Sequence, residues 1–221
     1  LTEGPYFVDG ALNRSDIRVE PSDESRVEGT LLKIKFAVSD VTEGTCKPLV
    51  GAQVDIWHAD ANGVYSGVTD AGFDTSDLMF LRGYQITDEY GLVEFTTVYP
   101  GWYSGRAVHI HFKIRTDPES DTGYEFTSQF FFDEALTDVI QAVPPYSTKG
   151  YRNTFNDTDS IYQSSEGLLT LNVVDYEDEE TGEKGYETTF SIGLDLSVDT
   201  SSQSGGQGGM PGDQGGTPPN G

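Results

Sequence analysis

Cysteine is all but missing: there is one, Cys46, in 221 residues. A single thiol forms no intrachain disulfide and supplies no multi-cysteine zinc or iron–sulfur site. Basic residues are scarce too, 13 Lys and Arg against 37 Asp and Glu, for a formal charge of −24. That balance repels nucleic acid and anionic membrane surfaces, and it excludes nucleic acid as a partner. It suits a saline or extracytoplasmic medium and equally serves solubility, so it says little of chemistry. No apolar run is long enough to span a bilayer. The opening "LTEGPYFVDG" has neither the basic region nor the apolar core of a signal segment. The expectation is a mature exported form, extracellular or in the cell envelope after signal removal.

Helix signals are also few. Only "DEALTDVIQAV" reads as a helix, and it is short. Period-two alternation dominates instead: Leu32, Ile34, Phe36 and Val38 share a face in "TLLKIKFAVSD", and Val54, Ile56 and His58 share one in "AQVDIWHAD". Further strands are predicted in "RGYQIT", "LVEFTTV", "AVHIHFKIR", "FTSQFFF", "LLTLNVVDYE" and "YETTFSIGLDL", with "DEYG" and "EDEETGEKG" as turns between partners. Closely spaced strands with so little helix predict an all-β fold, an antiparallel β-sandwich. Residues 201–221, nearly all Gly, Ser, Gln and Pro, cannot bury enough apolar area to fold. The predicted organisation is one domain over residues 1–198 and a disordered Gly/Pro-rich tail over 199–221, dispensable for catalysis.

What is present is concentrated in "TVYPGWYSGRAVHIHFKIR", Thr97 to Arg115, which holds two of the chain's three histidines. Alternate side chains of a strand share a face, so His109 and His111 project together while Val108, Ile110, Phe112 and Ile114 form an apolar back. Imidazole is the commonest metal ligand, and such a strand mounts it rigidly. Two neutral nitrogens leave a metal ion short of donors and of negative charge. The residues crowding nearby are phenols: Tyr99 and Tyr103 before the histidines, and Tyr65 in "ANGVYSG". Tyrosinate is a hard anionic donor, which makes Fe(III) in a His/Tyr site the natural candidate. Each signal also has a plain structural reading. His-x-His pairs occur on surfaces and in satisfied cores, and most of the 12 tyrosines are expected to pack in sheets. His58 aligns with Val54 and Ile56 and reads as a packed, hydrogen-bonded histidine, outside the metal site. Arg106 is either a surface arginine or a cation placed to stabilise negative charge on a substrate.

Taken in order, "TEGPYF", "GAQVDIWHADANGVYSG", "FLRGYQITDEYGLVEFTTVYPGWYSGRAVHIHFKI" and "FTSQFFF" resemble the intradiol ring-cleavage dioxygenases, the family of catechol 1,2- and protocatechuate 3,4-dioxygenases. The specific elements are a Gly-x-Tyr turn, Arg-Gly followed by Thr-Asp-x-x-Gly, a Pro-Gly-x-Tyr loop and Arg-x-x-His-x-His. The resemblance implies one Fe(III) held by Tyr65, Tyr103, His109 and His111, with Arg106 and Gln129 as catalytic residues beside it. It implies that Tyr103 is the ligand that leaves the metal when a catechol binds as a chelating dianion. Pro5, Tyr6 and Trp102 fall in the matched segments and are carried over as substrate-pocket residues. The implied reaction inserts both atoms of O2 into a catechol, opening the ring between the hydroxylated carbons to a cis,cis-muconate-type diacid.

Two departures from the family pattern matter. Only Ser104 and Gly105 separate Tyr103 from Arg106, where many members carry an insertion. The pocket wall there is expected to be short, and catechol to be accepted at least as well as protocatechuate. The long helical segment through which catechol 1,2-dioxygenases dimerise is not seen, so a helical-linker dimer is not expected and the oligomeric state stays open. The pattern is similar to short, single-domain members that are often exported. The rivals are copper or zinc in the same four ligands, and an exported β-sandwich binding module for a carbohydrate or a partner, with a vestigial metal site.

Overall fold

Alternation of apolar and polar residues fixes which face of each strand is buried, but leaves open which strands pair and in which direction. A computed structural model describes residues 3–120 and 123–198, and the predicted tail lies outside the described residues. The principal strands are β1 (Leu31–Asp40), β2 (Lys47–Pro48), β3 (Gln53–Trp57), β4 (Thr69–Asp70), β5 (Phe73–Asp74), β6 (Arg82–Ile86) and β7 (Leu92–Val98). They are followed by β8 (His109–Arg115), β9 (Glu125–Phe131), helix α1 (Glu134–Gln141), helix α2 (Ser160–Ser164), β10 (Val174–Glu177) and β11 (Lys184–Leu194).

Two sheets face each other. One is centred on β1, with β7 antiparallel on one side, Leu31 opposite Val98, and β2 extending that side at Ser39 and Asp40. On the other side β11 runs parallel to β1, from Leu31 opposite Gly185 to Asp40 opposite Leu194, and β10 pairs antiparallel with β11. The second sheet has the order β6-β3-β8-β9 and is antiparallel throughout. The sandwich is therefore as expected except in one ladder, β1–β11, which is parallel. The "DEYG" turn also differs from expectation. It joins β6 to β7, which belong to different sheets, so it carries the chain across the sandwich. The stretch "LLTLNVVDYE" forms a strand only from Val174, because Thr170 and Leu171 bridge to Phe131 on β9. The predicted helix is α1, capped by Asp133 through Leu136 N; α2 was not predicted, being too short to show a period.

The inner faces supply the core. Leu32, Ile34, Phe36 and Val38 of β1 meet Val54 and Ile56 of β3 and Ile110, Phe112 and Ile114 of β8. Phe36 sits at the centre, its ring 5.6 Å from Phe112, 5.3 Å from Phe130 and 6.0 Å from Phe95.

The outer face of the second sheet is polar, yet it is not open to water: every residue of β8 is buried. The N-terminal segment crosses it. Lys113 Nζ holds Glu3 (2.6 Å) and Glu125 (2.8 Å), Arg115 reaches Asp9 (3.1 Å) and Asp55 (3.0 Å), and Phe7 packs edge-on against Trp57 at 4.9 Å. The histidine-bearing face is thus enclosed, which lowers the local dielectric and sharpens every electrostatic interaction in it.

Truncating Phe36 to Ala removes the ring on which both sheets pack. Urea denaturation is expected to show a loss of about 3–5 kcal/mol, with the m-value unchanged.

Candidate metal centre

The register of β8 places the histidines among named neighbours. His111 lies opposite Trp57 on β3 and Gln129 on β9, and His109 lies opposite Phe131. All of these therefore share the outer face. The Trp57 ring lies flat on His111, 4.9 Å away at 11°.

The phenols arrive on two loops that meet backbone to backbone. Asp60 Oδ1 accepts from Asn62 N and Val64 N, forming the turn that presents Tyr65. Gly101 N donates to Asp60 O at 3.0 Å, docking the Tyr103 loop on that turn. A Cβ at Gly101 would lie 2.4 Å from the carbonyl oxygens of both Asp60 and Ala61, and one at Gly63 would lie 2.1 Å from Trp102 O. Gly63 also has φ of +74°. Only glycine fits either position, so the Gly-x-Tyr and Pro-Gly-x-Tyr patterns are what allow the two loops to approach.

Four donor atoms converge as a result. Nε2 of His109 is 3.1 Å from Nε2 of His111, 3.4 Å from the Tyr65 hydroxyl and 3.3 Å from the Tyr103 hydroxyl. His109 Nδ1 donates to Ala107 O at 2.6 Å, because a carbonyl can only accept, and so the Nε2 lone pair faces the cluster. His111 Nδ1 is buried without a partner, so neither tautomer satisfies both of its nitrogens within the protein. Burial, then the Arg106 charge, pushes His109 down to about 3; burial, then His109 and Arg106, holds His111 well below the usual range. Both rings are thus neutral bases. Burial, then Tyr103, pushes the Tyr65 phenol well up, partly offset by Arg106 and Arg82. Burial likewise raises Tyr103, with Arg106 opposing it.

These donors fit a hard metal ion. Two imidazole lone pairs and two phenol oxygens share one small space, and a cation among them would turn the phenols into phenolate donors by releasing their protons. Among the described residues no cluster of three or more His, Cys, Asp or Glu side chains is placed to hold a metal. In this centre phenol oxygens complete the set instead.

Around the donors, Arg106 Nη2 donates to Gln129 Oε1 at 2.5 Å, joining the two residues expected to act together. Tyr6 stacks on Tyr65 at 4.5 Å and meets Tyr103 edge-on at 6.2 Å, and its hydroxyl bonds Asp70 on β4. Gly4 passes so close to His111 that a Cβ there would lie 3.3 Å from Cε1. Pro5 is exposed beside them. Trp102 turns elsewhere: its Nε1 donates to Gly150 O at 3.3 Å and Lys149 Nζ lies 4.8 Å over its ring. Tyr99 is not in the centre; its hydroxyl pairs with Thr137 at 2.7 Å inside the core. His58 is buried and bonded to Ala59 O (2.8 Å) and Thr97 Oγ1 (2.7 Å), the packed histidine expected.

The short Tyr103–Arg106 link is not left bare. Asn153 Nδ2 donates to Ser104 Oγ at 2.9 Å and Gly105 N to Thr154 Oγ1 at 3.2 Å, so residues 150–154 back the link that the sequence suggested was thin. Sequence reasoning also missed Asp159, whose carboxylate takes Arg106 Nε at 2.9 Å. Its one signal is the helix-capping pattern Asp-Ser-Ile, read only once α2 is known.

A family model described as Dioxygenase matches residues 2–195. The solved structure of an intradiol ring-cleavage dioxygenase from Tetranychus urticae superposes with a TM-score of 0.71 at 32% identity, covering 89% of this chain and 93% of that one. The dioxygenase domain of a dioxygenase carbohydrate-binding protein fusion from Streptomyces sp. SirexAA-E gives 0.57 at 27% identity, covering 89% and 96%. Chlorocatechol 1,2-dioxygenase from Pseudomonas putida is 27% identical over 154 residues, 59% of this chain and 52% of its own length. Catechol 1,2-dioxygenase 1 from Acinetobacter lwoffii is 27% identical over 201 residues, 76% of this chain and 60% of its own. The chain spans little more than half the length of these curated relatives. With the family model matching residues 2–195 and a solved relative superposing over 89% of the chain, the chain belongs to the intradiol ring-cleavage dioxygenase family.

Proposed function

We propose that this chain is a nonheme Fe(III)-dependent dioxygenase that inserts both atoms of O2 into catechols and opens the ring between the two hydroxylated carbons. The observation that carries the reading is the convergence on His109 Nε2 of a second imidazole nitrogen and two phenol oxygens, all within 3.4 Å. Tyr65, Tyr103, His109 and His111 would hold the iron. Ferric iron bound there supplies Lewis acidity toward a catechol and the positive charge that keeps the phenols ionised. Relatives named catechol and chlorocatechol 1,2-dioxygenases support the substrate class.

The chain's own residues have separable tasks. Tyr65 is 1% exposed and clamped under Tyr6, whereas Tyr103 is half-buried at the rim. Tyr103 is therefore the phenol with room to turn, and its oxygen is the one to accept a catechol proton. Arg106 presents a fixed cation beside that oxygen, where it stabilises negative charge on the substrate ring, an effect worth about 3 kcal/mol in comparable sites. Gln129 holds the guanidinium in place. Trp57 and Phe7 keep water from the back of the imidazoles.

The basic side chains on this face are largely engaged, and Arg82 Nη1, which has no partner, is buried. Arg106 is held by Asp159, Arg82 by Ser66 O (3.0 Å from Nε), Lys113 by Glu3 and Glu125, and Lys149 by Trp102 O (2.7 Å). A ring carboxylate would have to compete with these partners, which favours uncharged catechols.

Two outcomes test the reading. The purified protein is expected to carry about one iron per chain with a visible tyrosinate charge-transfer band, lost together with the metal in Tyr65→Phe and His111→Ala; metal analysis and absorption spectra check this. A colourless wild type with stoichiometric zinc or copper contradicts it. In steady-state kinetics, kcat/KM for catechol is expected to equal or exceed that for protocatechuate, with a product absorbing as a cis,cis-muconate. Strict selectivity for protocatechuate would contradict the account of the engaged cations.

A further inference from the structure

We propose that Asp159 is a positioning residue for the reaction, acting through Arg106; the inference rests on the catalytic reading of Arg106 given above. Asp159 stands 53 residues beyond Arg106 and outside the matched motifs. Its side chain is 1% exposed, and its two oxygens accept four N–H groups. Oδ1 caps α2 by accepting from Ile161 N (2.8 Å) and Tyr162 N (3.1 Å). Oδ2 accepts from Arg106 Nε (2.9 Å) and Ala107 N (2.8 Å), at the entry to β8. Capping α2 alone does not need an anion, since Ser or Asn would cap as well. The second oxygen, facing a guanidinium in a buried place, does.

The geometry fixes Arg106 at two points of its plane, Nε on Asp159 and Nη2 on Gln129 Oε1. Two anchors leave a planar guanidinium one orientation, and that orientation faces Tyr103. The carboxylate is itself held to the site's sheet: Tyr162, in α2, packs edge-on against Phe131 at 5.2 Å, and Phe131 lies opposite His109. The pair also makes Arg106 directional, because its charge is balanced on one side only. Removing the carboxylate misplaces the guanidinium and frees its full positive charge. Turnover should fall while binding of an anionic ring does not weaken.

The test uses iron-loaded Asp159→Asn and Asp159→Ser, both of which keep an oxygen to cap α2, with catechol as the probe, at a temperature where circular dichroism shows them folded. The expected result is a kcat lower by about tenfold to a hundredfold, with KM unchanged or lower. Asp159→Asn in an Arg106→Gln background should cause no further loss of kcat, because the two act as a unit. In metal-free protein the Arg106 Nε–H resonance should be protected from exchange in wild type and lose that protection in both single variants. A wild-type kcat in both variants, a rise in KM alone, or losses that multiply in the double variant would overturn the proposal. Should iron-loaded wild type turn over no catechol, the dioxygenase reading fails by itself. The Arg106 resonance then decides the positioning role, and protection retained in Asp159→Ser would overturn it.

Discussion

The contact between two backbones at Gly63 and Gly101 is the constraint on which the centre depends. Tyr65 and Tyr103 lie on separate loops, and neither loop has regular structure to aim its phenol. Each is aimed by leaning on the other, at distances that no Cβ would permit. The sheet beneath contributes the rigid half: β8 is paired on both sides and buried on both faces, so His109 and His111 have little freedom. A rigid strand and two mutually braced loops bring four donors within hydrogen-bonding distance, an arrangement that flexible tyrosines could not hold against their own entropy.

Burial of that face sets its electrostatics. The chain as a whole is strongly acidic, with a formal charge of −24, yet the charges that lower the phenols are Arg106, on both, and Arg82, on Tyr65, against Asp159, which raises Tyr103. Burial alone would keep both phenols protonated and both imidazoles neutral. The arginines oppose the first tendency and reinforce the second, leaving a donor set that is neutral until a cation arrives. Arg82 reaches this position by spending its donors on Ser66, with Nη1 buried and unpartnered. It is a structural arginine whose field still reaches Tyr65, its guanidinium 6.0 Å from the ring. Arg106 differs in being balanced by an anion that comes from a distant part of the chain.

How much of this could be read in the sequence depended on range. His109 and His111 on one face, with an apolar back, follow from period two alone, and the strand boundaries at Leu92–Val98 followed the pattern closely. Gln129 needed only the family motif, and the register opposite His111 explains why it belongs there. The parallel β1–β11 ladder was not legible, because strand direction is set by partners roughly 150 residues apart and leaves no local mark. Asp159 was not legible either: it lies in an aperiodic stretch, caps a helix of five residues, and takes its importance from a guanidinium it meets only in the folded chain. The covering of the Tyr103–Arg106 link by residues 150–154 has the same origin, a loop-to-loop contact between segments without periodicity.

The central claim is that two phenolates and two imidazoles share one ferric ion. Resonance Raman spectroscopy of the iron-loaded chain, excited in the visible band, addresses it most directly, because only tyrosinates bound to iron are enhanced. The account predicts two sets of tyrosinate ring vibrations in the wild type, one of which Tyr103→Phe removes while the other remains. A single set in the wild type, two sets that survive Tyr103→Phe unchanged, or none at all, would contradict it.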